Sequence, residues 1–167
     1  INCLPATLLD EKICGVKWVS VFPPNPRRFG VQNLSAIIVL SEIEKGFLVL
    51  LGVGKGDCEE DADVLAAKIA KMRIFCDENG KMNLGLSDVG GQVLVVSQFT
   101  LYGNCRKGRR PSFNEAAGPE LGNALYEKFL QYCEELGYPP QHGEFGAHME
   151  VESINDGPVT ILLDTAE

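Results

Sequence analysis

Two polar segments of the chain stand where a strand is expected to end or to turn. The first is Ser97-Gln98-Phe99-Thr100, and the second is Asn155-Asp156-Gly157-Pro158-Val159-Thr160. Their hydroxyl and amide groups can donate hydrogen bonds to a substrate and accept them from it. Taken alone, each segment also fits a purely structural explanation, as a strand end with locally satisfied hydroxyls and as an ordinary turn.

A basic cluster is the third candidate for function. It reads Arg106-Lys107-Gly108-Arg109-Arg110 and is flanked by Tyr102 and Phe113. The net charge of −8 argues against a protein that binds nucleic acid over its whole surface, because phosphate contacts need concentrated Lys and Arg. Any RNA contact must therefore be local, and the cluster also fits a merely solvated loop.

Other motifs of ligand binding are incomplete. The run Gly52-Val53-Gly54-Lys55-Gly56-Asp57 lacks the glycine of a dinucleotide fingerprint at Asp57 and the Ser or Thr of a P-loop at Gly56. It is better explained as the turn from a strand into a helix. His142 and His148 are too few for a metal site, and the six cysteines form no C-x-x-C pair. We expect neither a metal nor a cofactor.

Length and composition favour an ordinary cytoplasmic protein. The 167 residues are 45% hydrophobic, which suits one domain, and no apolar run approaches the roughly 20 residues that cross a bilayer. Residues 1–13 lack the basic start of a secretory signal, and widely spaced cysteines indicate reduced thiols.

The hydrophobic pattern predicts the elements that position the candidate residues. One helix is expected to be capped by Asp57 with Glu60 three residues on and to end near Phe75, and a second to run from about Pro119 to Gly137. Strands are expected at 35–40, 47–53, 93–99, 147–154 and 159–163. The sum is an α+β fold, a single domain with a mainly β, barrel-like core and two amphipathic helices packed on it.

Taken together, the two polar segments resemble the signature motifs of the D-aminoacyl-tRNA deacylase family. These motifs are serine-glutamine-x-threonine and asparagine-x-glycine-proline-x-threonine, which occur here in the family's order and at about its spacing. Further stretches also resemble the family, at 50–53, 81–84, 88–91, 107–113 and 145–147. The resemblance implies a homodimeric hydrolase that cuts the ester bond of D-aminoacyl-tRNA, with the active site at the subunit interface.

The resemblance also implies roles for the first motif. Backbone N–H groups near Phe99 would hold the ester carbonyl, and Ser97, Gln98 and Thr100 would complete the catalytic segment. The tRNA's own 2′-hydroxyl would take part in the chemistry. Thr100 as a covalent nucleophile is the weaker alternative, because the sequence shows no evident base to activate it.

The second motif would select the chirality of the substrate. In the family the peptide equivalent to Gly157-Pro158 is cis, and its carbonyls reach into the partner subunit's site, where they hold the amino group and exclude L side chains. The other substrate-binding residues implied are Met149, Asn155, Val159 and Thr160. Such a clash cannot exclude glycine, so glycyl-tRNA mischarged on a non-cognate tRNA is an expected second substrate.

The basic cluster gains a use from the same resemblance. Lys107, Arg109 and Arg110 would clamp phosphates of the acceptor stem or the terminal nucleotides of aminoacyl-tRNA.

The N-terminal part departs from the family pattern. In Val31-Gln32-Asn33-Leu34, Asn33 stands where an arginine is expected. Residues 1–30 match nothing in the family, so we predict an atypical extension at 1–30 and a deacylase-like domain at 31–167. Two alternatives stay open: a nucleic-acid-binding relative without catalysis, and a cousin that edits L-alanyl-tRNA, although Ser97 and the contiguous Gly157-Pro158 favour the D-specific type.

Overall fold

The structure is a computed structural model that describes residues 4–8, 13–17, 37–38, 45–106, 108–156 and 158–165. The chain divides into two compact units. One comprises Ile1–Glu42 and Ala147–Ile154, and the other Ile43–Gly146 and Asn155–Glu167.

Short paired strands make up the described part of the first unit. Strands β1 (Leu4–Leu8) and β2 (Ile13–Lys17) pair antiparallel, with Leu8 opposite Ile13. Strand β3 (Ile37–Ile38) pairs parallel with β9 (Met149–Glu150), which places Ile37 opposite Met149.

A parallel sheet organises the second unit. Its strand order is β4 (Gly46–Leu51), β7 (Gln92–Ser97) and β8 (Gln141–His142). The β4 and β7 runs are almost continuously apolar, as expected of parallel strands covered by helices. Their register pairs Gly46 with Gln92 at one end and Leu51 with Ser97 at the other, so both strands end at the same edge.

Long connections join these parallel strands, as their geometry requires. Between β4 and β7 lie helix α1 (Glu59–Lys71), the hairpin of β5 (Phe75–Cys76) with β6 (Met82–Leu84), and the short helix α2 (Leu86–Val89). Between β7 and β8 lie a 3₁₀ helix (Phe99–Tyr102) and helix α3 (Pro119–Glu135).

The core of this unit forms where α1 and α3 pack together and against the sheet. Phe129 and Val95 are fully buried. The hydroxyl of buried Tyr126 donates a hydrogen bond of 3.1 Å to the carbonyl of Val95, which ties α3 to the central strand. Burial raises the pKa of Tyr126 to about 12. The other buried hydrophobic residues are Leu51, Ala62, Ala66, Ile69, Leu86, Val93, Val96, Leu125, Leu130 and Cys133.

The mixed helix-and-strand character and both amphipathic helices are confirmed. The sheets of the described residues have two or three strands and are not closed into a barrel, so the barrel-like core stays a prediction. The strand expected at 159–163 is wrong, because these residues form no strand. No helix in the described ranges is long and apolar enough to cross a membrane.

The predicted cap of α1 is also wrong. Cys58 is the N-cap, and its backbone N–H and thiol both donate to the carboxylate of Asp61, at 2.9 and 3.1 Å. Asp57 instead accepts a 2.7 Å hydrogen bond from the N–H of Gly54. The glycine-rich run is nevertheless the turn from a strand into a helix, as predicted. Residues 31–34, where the family pattern breaks down, lie outside the described ranges.

Candidate active site

The Ser97–Thr100 segment lies at the carboxyl edge of the parallel sheet. Ser97 is the last residue of β7 and pairs with Leu51, the last residue of β4. The next amide, that of Gln98, donates a 2.7 Å hydrogen bond to the carbonyl of Leu51. The chain then leaves the sheet directly into the 3₁₀ helix.

This helix presents backbone N–H groups that its own turn does not use. The N–H of Leu101 donates to the carbonyl of Gln98 at 3.2 Å, and that of Gly103 donates to the carbonyl of Thr100 at 3.0 Å. The N–H groups of Phe99 and Thr100 precede the first bond of the helix and have no acceptor among the described residues. Both residues are exposed.

The side chains of the segment make only local polar contacts. The side-chain amide of Gln98 donates a hydrogen bond to the hydroxyl of Thr100. In the described part of the chain, no carboxylate or imidazole hydrogen-bonds to that hydroxyl. Among the residues that the structure describes, Thr100 therefore has no hydrogen-bonded general base, which disfavours its activation as a nucleophile.

Phe99 is an exposed aromatic residue beside these amides. Its side chain is 58% exposed, and its ring meets that of Phe113 edge to face at 5.1 Å between centroids. Phe113 follows the basic loop in sequence, so this contact connects the 3₁₀ helix to the end of that loop.

A pair of backbone hydrogen bonds closes the basic loop. Asn104 and Ser112 form an antiparallel bridge, with N–H to carbonyl distances of 2.8 and 3.0 Å. The side chain of Asn104 also accepts a 3.0 Å hydrogen bond from the N–H of Arg106. Arg109 and Arg110 are exposed in this loop, whereas Lys107 lies outside the described residues.

The asparagine of the second motif spans its own loop. Its side-chain amide donates to the hydroxyl of Thr160 at 3.1 Å, and its side-chain oxygen accepts from the N–H of Val159 at 3.0 Å. Pro158 is exposed and Val159 half-buried. Gly157 lies outside the described residues, so the predicted geometry of the Gly157-Pro158 peptide stays a prediction.

The structure thus places both motifs in the second unit and Met149 in the first. It joins Gln98 to Thr100 and Asn155 to Thr160 by direct contacts. Within the described ranges, no group of three His, Cys, Asp or Glu side chains is arranged to hold a metal ion.

Sequence reasoning missed the surroundings of Tyr102, the last residue of the 3₁₀ helix. Burial raises the pKa of Tyr102, and the carboxylates of Asp57 and Asp164 raise it further. The available signal was the Gly-x-Gly spacing directly after an apolar strand, which indicates a close approach to the backbone.

Comparison with known proteins identifies the family. A family model described as D-Tyr-tRNA(Tyr) deacylase matches residues 31–164. The chain belongs to this family. A second model, described as the ornithine cyclodeaminase/mu-crystallin family, matches residues 1–55 and overlaps the first.

Individual deacylase relatives cover most of this chain. A D-aminoacyl-tRNA deacylase of Thermosipho africanus is 59% identical over 126 residues, which are 75% of this chain and 85% of that protein. One of Thermotoga petrophila is 54% identical over 143 residues, or 82% of this chain and 96% of the relative.

Solved structures show a similar fold. A structure described as c-Myc DNA Unwinding Element Binding Protein matches with a TM-score of 0.69 and 36% identity, over 78% of this chain and 91% of that one. A probable eukaryotic D-amino acid tRNA deacylase matches with a TM-score of 0.51 and 15% identity, over 60% of this chain and 74% of that one.

The contacts of Asn155 generate a prediction about the second motif. Asn155→Ala should speed hydrogen exchange at the Val159 amide several-fold, because that N–H loses its acceptor. The free energy of unfolding should fall by about 1 kcal/mol at most, since a hydrogen bond contributes about 0.5–1.5 kcal/mol and this one is exposed. Exchange measured by NMR on the folded protein tests this. Asn123→Ala, an exposed change on α3, is the control, and an unaltered Val159 rate would contradict the role of Asn155.

Proposed function

We propose that this deacylase hydrolyses the ester bond of D-aminoacyl-tRNA and releases the free D-amino acid and the tRNA. One observation carries the proposal beyond family membership. The N–H groups of Phe99 and Thr100 lie unused at the carboxyl edge of a parallel sheet, on an exposed turn. Two adjacent donors of this kind suit an ester carbonyl whose oxygen becomes negatively charged during hydrolysis.

The reaction needs few protein groups. Water, oriented with help from the terminal ribose 2′-hydroxyl, attacks the ester carbon while the carbonyl oxygen accepts hydrogen bonds from the two amides. The tetrahedral intermediate then collapses, the bond to the ribose 3′-oxygen breaks, and that oxygen takes up a proton. Aminoacyl esters are already reactive, so positioning and oxyanion stabilisation are sufficient catalysis.

Thr100 positions groups in this scheme and does not attack the ester. Its hydroxyl accepts a hydrogen bond from Gln98 and has no base beside it in the described structure. Ser97, at the last position of β7, connects this arrangement to the sheet.

Chirality is assigned to the second motif. We place the Gly157-Pro158 peptide of one subunit against the amino group of the substrate in the other, so that backbone atoms block an L side chain. Asn155, which holds Val159 and Thr160, would keep that loop in shape, and Met149 would line the pocket. This arrangement requires a homodimer and leaves glycyl-tRNA mischarged on a non-cognate tRNA as a second substrate.

The basic loop is assigned to the tRNA. Arg109 and Arg110 are exposed in a loop that the Asn104–Ser112 bridge closes. The contact between Phe113 and Phe99 connects the end of this loop to the amides that would hold the ester. With Lys107, these side chains would neutralise phosphates near the 3′ end.

A second candidate function is nucleic-acid binding without turnover. The observation that favours it is the 36% identity to a protein described as c-Myc DNA Unwinding Element Binding Protein. The two functions differ in whether bound aminoacyl-tRNA is cleaved.

The first prediction of the proposed function compares aminoacyl-tRNAs that carry D-amino acids, L-amino acids or glycine. The purified chain should hydrolyse D-tyrosyl-tRNA and mischarged glycyl-tRNA far faster than buffer, and leave L-tyrosyl-tRNA and L-alanyl-tRNA intact. Gly157→Ala should narrow this discrimination, while Gly118→Ala, at a position where an added methyl group has nothing within 4 Å, should not. Salt-dependent binding of tRNA with no cleavage of any ester would contradict the proposed deacylase activity and would support nucleic-acid binding without turnover instead.

The second prediction isolates the amide donor. Phe99→Pro removes the N–H of residue 99 at the first helical position, where proline is sterically tolerated. Loss of one oxyanion donor should lower kcat by about 100-fold. Phe99→Ala keeps the N–H, so its kcat should fall much less. Equal losses of kcat in the two variants would contradict the role of the Phe99 N–H as an oxyanion donor.

The same variant tests the shared site. When Gly157→Ala subunits are mixed with Phe99→Pro subunits and exchange at random, hydrolysis of L-tyrosyl-tRNA should fall to roughly half of what the same amount of Gly157→Ala shows alone, because in each mixed dimer the altered Gly157 segment faces a Phe99→Pro site. Unchanged hydrolysis of L-tyrosyl-tRNA, with mixed dimers confirmed by mass spectrometry, would place each site within one subunit.

The third prediction concerns the basic loop. Arg109→Ala and Arg110→Ala should each weaken tRNA binding and reduce the slope of log K against log salt by about 0.7–0.9 per lost phosphate contact. Binding titrations at several salt concentrations measure this. Lys71→Ala, an exposed change in the last turn of α1, serves as the control. An unchanged slope in both arginine variants would remove the loop from the interface.

A further inference from the structure

The glycine-rich turn after β4 forms a seat for an aromatic ring. A Cβ atom at Gly54 would lie 2.8 Å from the hydroxyl oxygen of Tyr102 and 3.1 Å from Cζ of the same ring. A Cβ atom at Gly52 would lie 3.2 Å from Tyr102 Cε2. The ring therefore lies close to both glycines, so an added Cβ atom would force a shift at Gly54 and crowd the ring at Gly52.

The remainder of the 3₁₀ helix is seated on the same turn. The Gly52 Cβ position is also 3.3 Å from the carbonyl oxygen of Gln98 and 3.3 Å from Cβ of Leu101. Together with the bond from the Gln98 N–H to Leu51, these contacts press both ends of the helix against the end of β4. The Gly-x-Gly spacing thus allows a close approach between the turn after β4 and the 3₁₀ helix.

Asp57 fastens this arrangement. Its carboxylate accepts the N–H of Gly54 at 2.7 Å, and it also lies beside the Tyr102 hydroxyl. The pKa of Tyr102 is raised by burial first and then by the negative charges of Asp57 and Asp164. The phenol therefore stays protonated at neutral pH and is available to donate a hydrogen bond to the carboxylate.

We infer that Tyr102 is a positioning residue, which holds the N–H groups of Phe99 and Thr100 in place by anchoring their helix to Asp57 across Gly52 and Gly54. The catalytic consequence rests on the proposed function, whereas the anchoring itself does not. Tyr102 is the last residue of the helix whose first two residues present the donors, so loosening one end displaces the other. A small displacement of such donors lowers the rate far more than it weakens substrate binding.

The experiment has two independent readouts. Tyr102→Phe keeps the ring and removes the hydroxyl, and it should speed hydrogen exchange at the Leu101 and Gly103 amides. For D-tyrosyl-tRNA, kcat should fall about tenfold with little change in KM, since a hydrogen bond to a charged group contributes about this factor. Tyr138→Phe, a half-buried tyrosine beyond α3, is the matched control. Unchanged exchange in the helix overturns the anchoring, even if the wild-type chain cleaves no ester.

A double-mutant cycle tests the partner. Asp57→Ala should lower kcat at least as much as Tyr102→Phe, since it also removes the acceptor of the Gly54 N–H, and the double variant should lose little more than Asp57→Ala alone. Fully additive losses would show that the two side chains act separately and would overturn the inference. If exchange responds as expected while the wild-type enzyme shows no turnover, the proposed function fails and the anchoring stands.

The contact can also be tested from the glycine side, by adding a methyl group at Gly54 instead of removing the hydroxyl of Tyr102. Gly54→Ala drives a methyl group against the Tyr102 hydroxyl and should raise helix exchange and lower kcat, whereas Gly56→Ala, with nothing within 4 Å, should do neither. Because both changes disturb the same contact, adding Tyr102→Phe to Gly54→Ala should lower kcat by much less than the loss of about tenfold expected of Tyr102→Phe alone. A full additional loss of that size in the double variant would contradict a ring packed on Gly54.

Discussion

The parallel pairing of β4 with β7 is the constraint on which the rest of the second unit depends. It brings Leu51 and Ser97 to one edge of the sheet, although they are far apart in the sequence. The backbone N–H of Gln98 continues this pairing by one further hydrogen bond, to the carbonyl of Leu51. Everything beyond that point, including the 3₁₀ helix and the basic loop, starts from a position that the sheet has fixed.

The helices that stabilise this sheet explain why its edge can be polar. Phe129 and Tyr126 on α3 bury the central strand, and the Tyr126 hydroxyl satisfies the carbonyl of Val95. The core of this unit thus lies below the edge, so the groups at the strand ends are not needed for its packing. The exposure of Phe99 and Thr100 follows from this division.

Sequence patterns predicted the parts of this structure that depend on local interactions. The two amphipathic helices, the Gly137 position with φ of +88° after α3, and the turn at the glycine-rich run all follow from periodicity and residue type. The cap of α1 was misplaced by one residue, because Asp57 and Cys58 each have an acidic residue three positions on. Either carboxylate could accept the backbone N–H of an N-cap residue, and in the structure Asp61 accepts that of Cys58. The strand expected at 159–163 was wrong because a short apolar run forms a strand only where another strand pairs with it.

In the candidate site, too, the contacts between residues near in sequence were predictable and those between distant segments were not. Contacts from Gln98 to Thr100 and from Asn155 to Thr160 span few residues, and their motifs were recognised in the sequence. The Gly-x-Gly spacing indicated a close approach at Gly52 and Gly54, but not that Tyr102 makes it, because this contact exists only after β4 and β7 have paired. Roles that depend on a second subunit or on Gly157 come from the family resemblance, since local chemistry carries no information about them.

The Asn104–Ser112 bridge has a consequence for how such an enzyme can diversify. Its two backbone hydrogen bonds do not depend on which side chains the loop carries. Residues inside the loop can therefore be exchanged, inserted or lost without disturbing the chain on either side. The sequence and length of this loop can thus change while the sheet edge beside it keeps its structure.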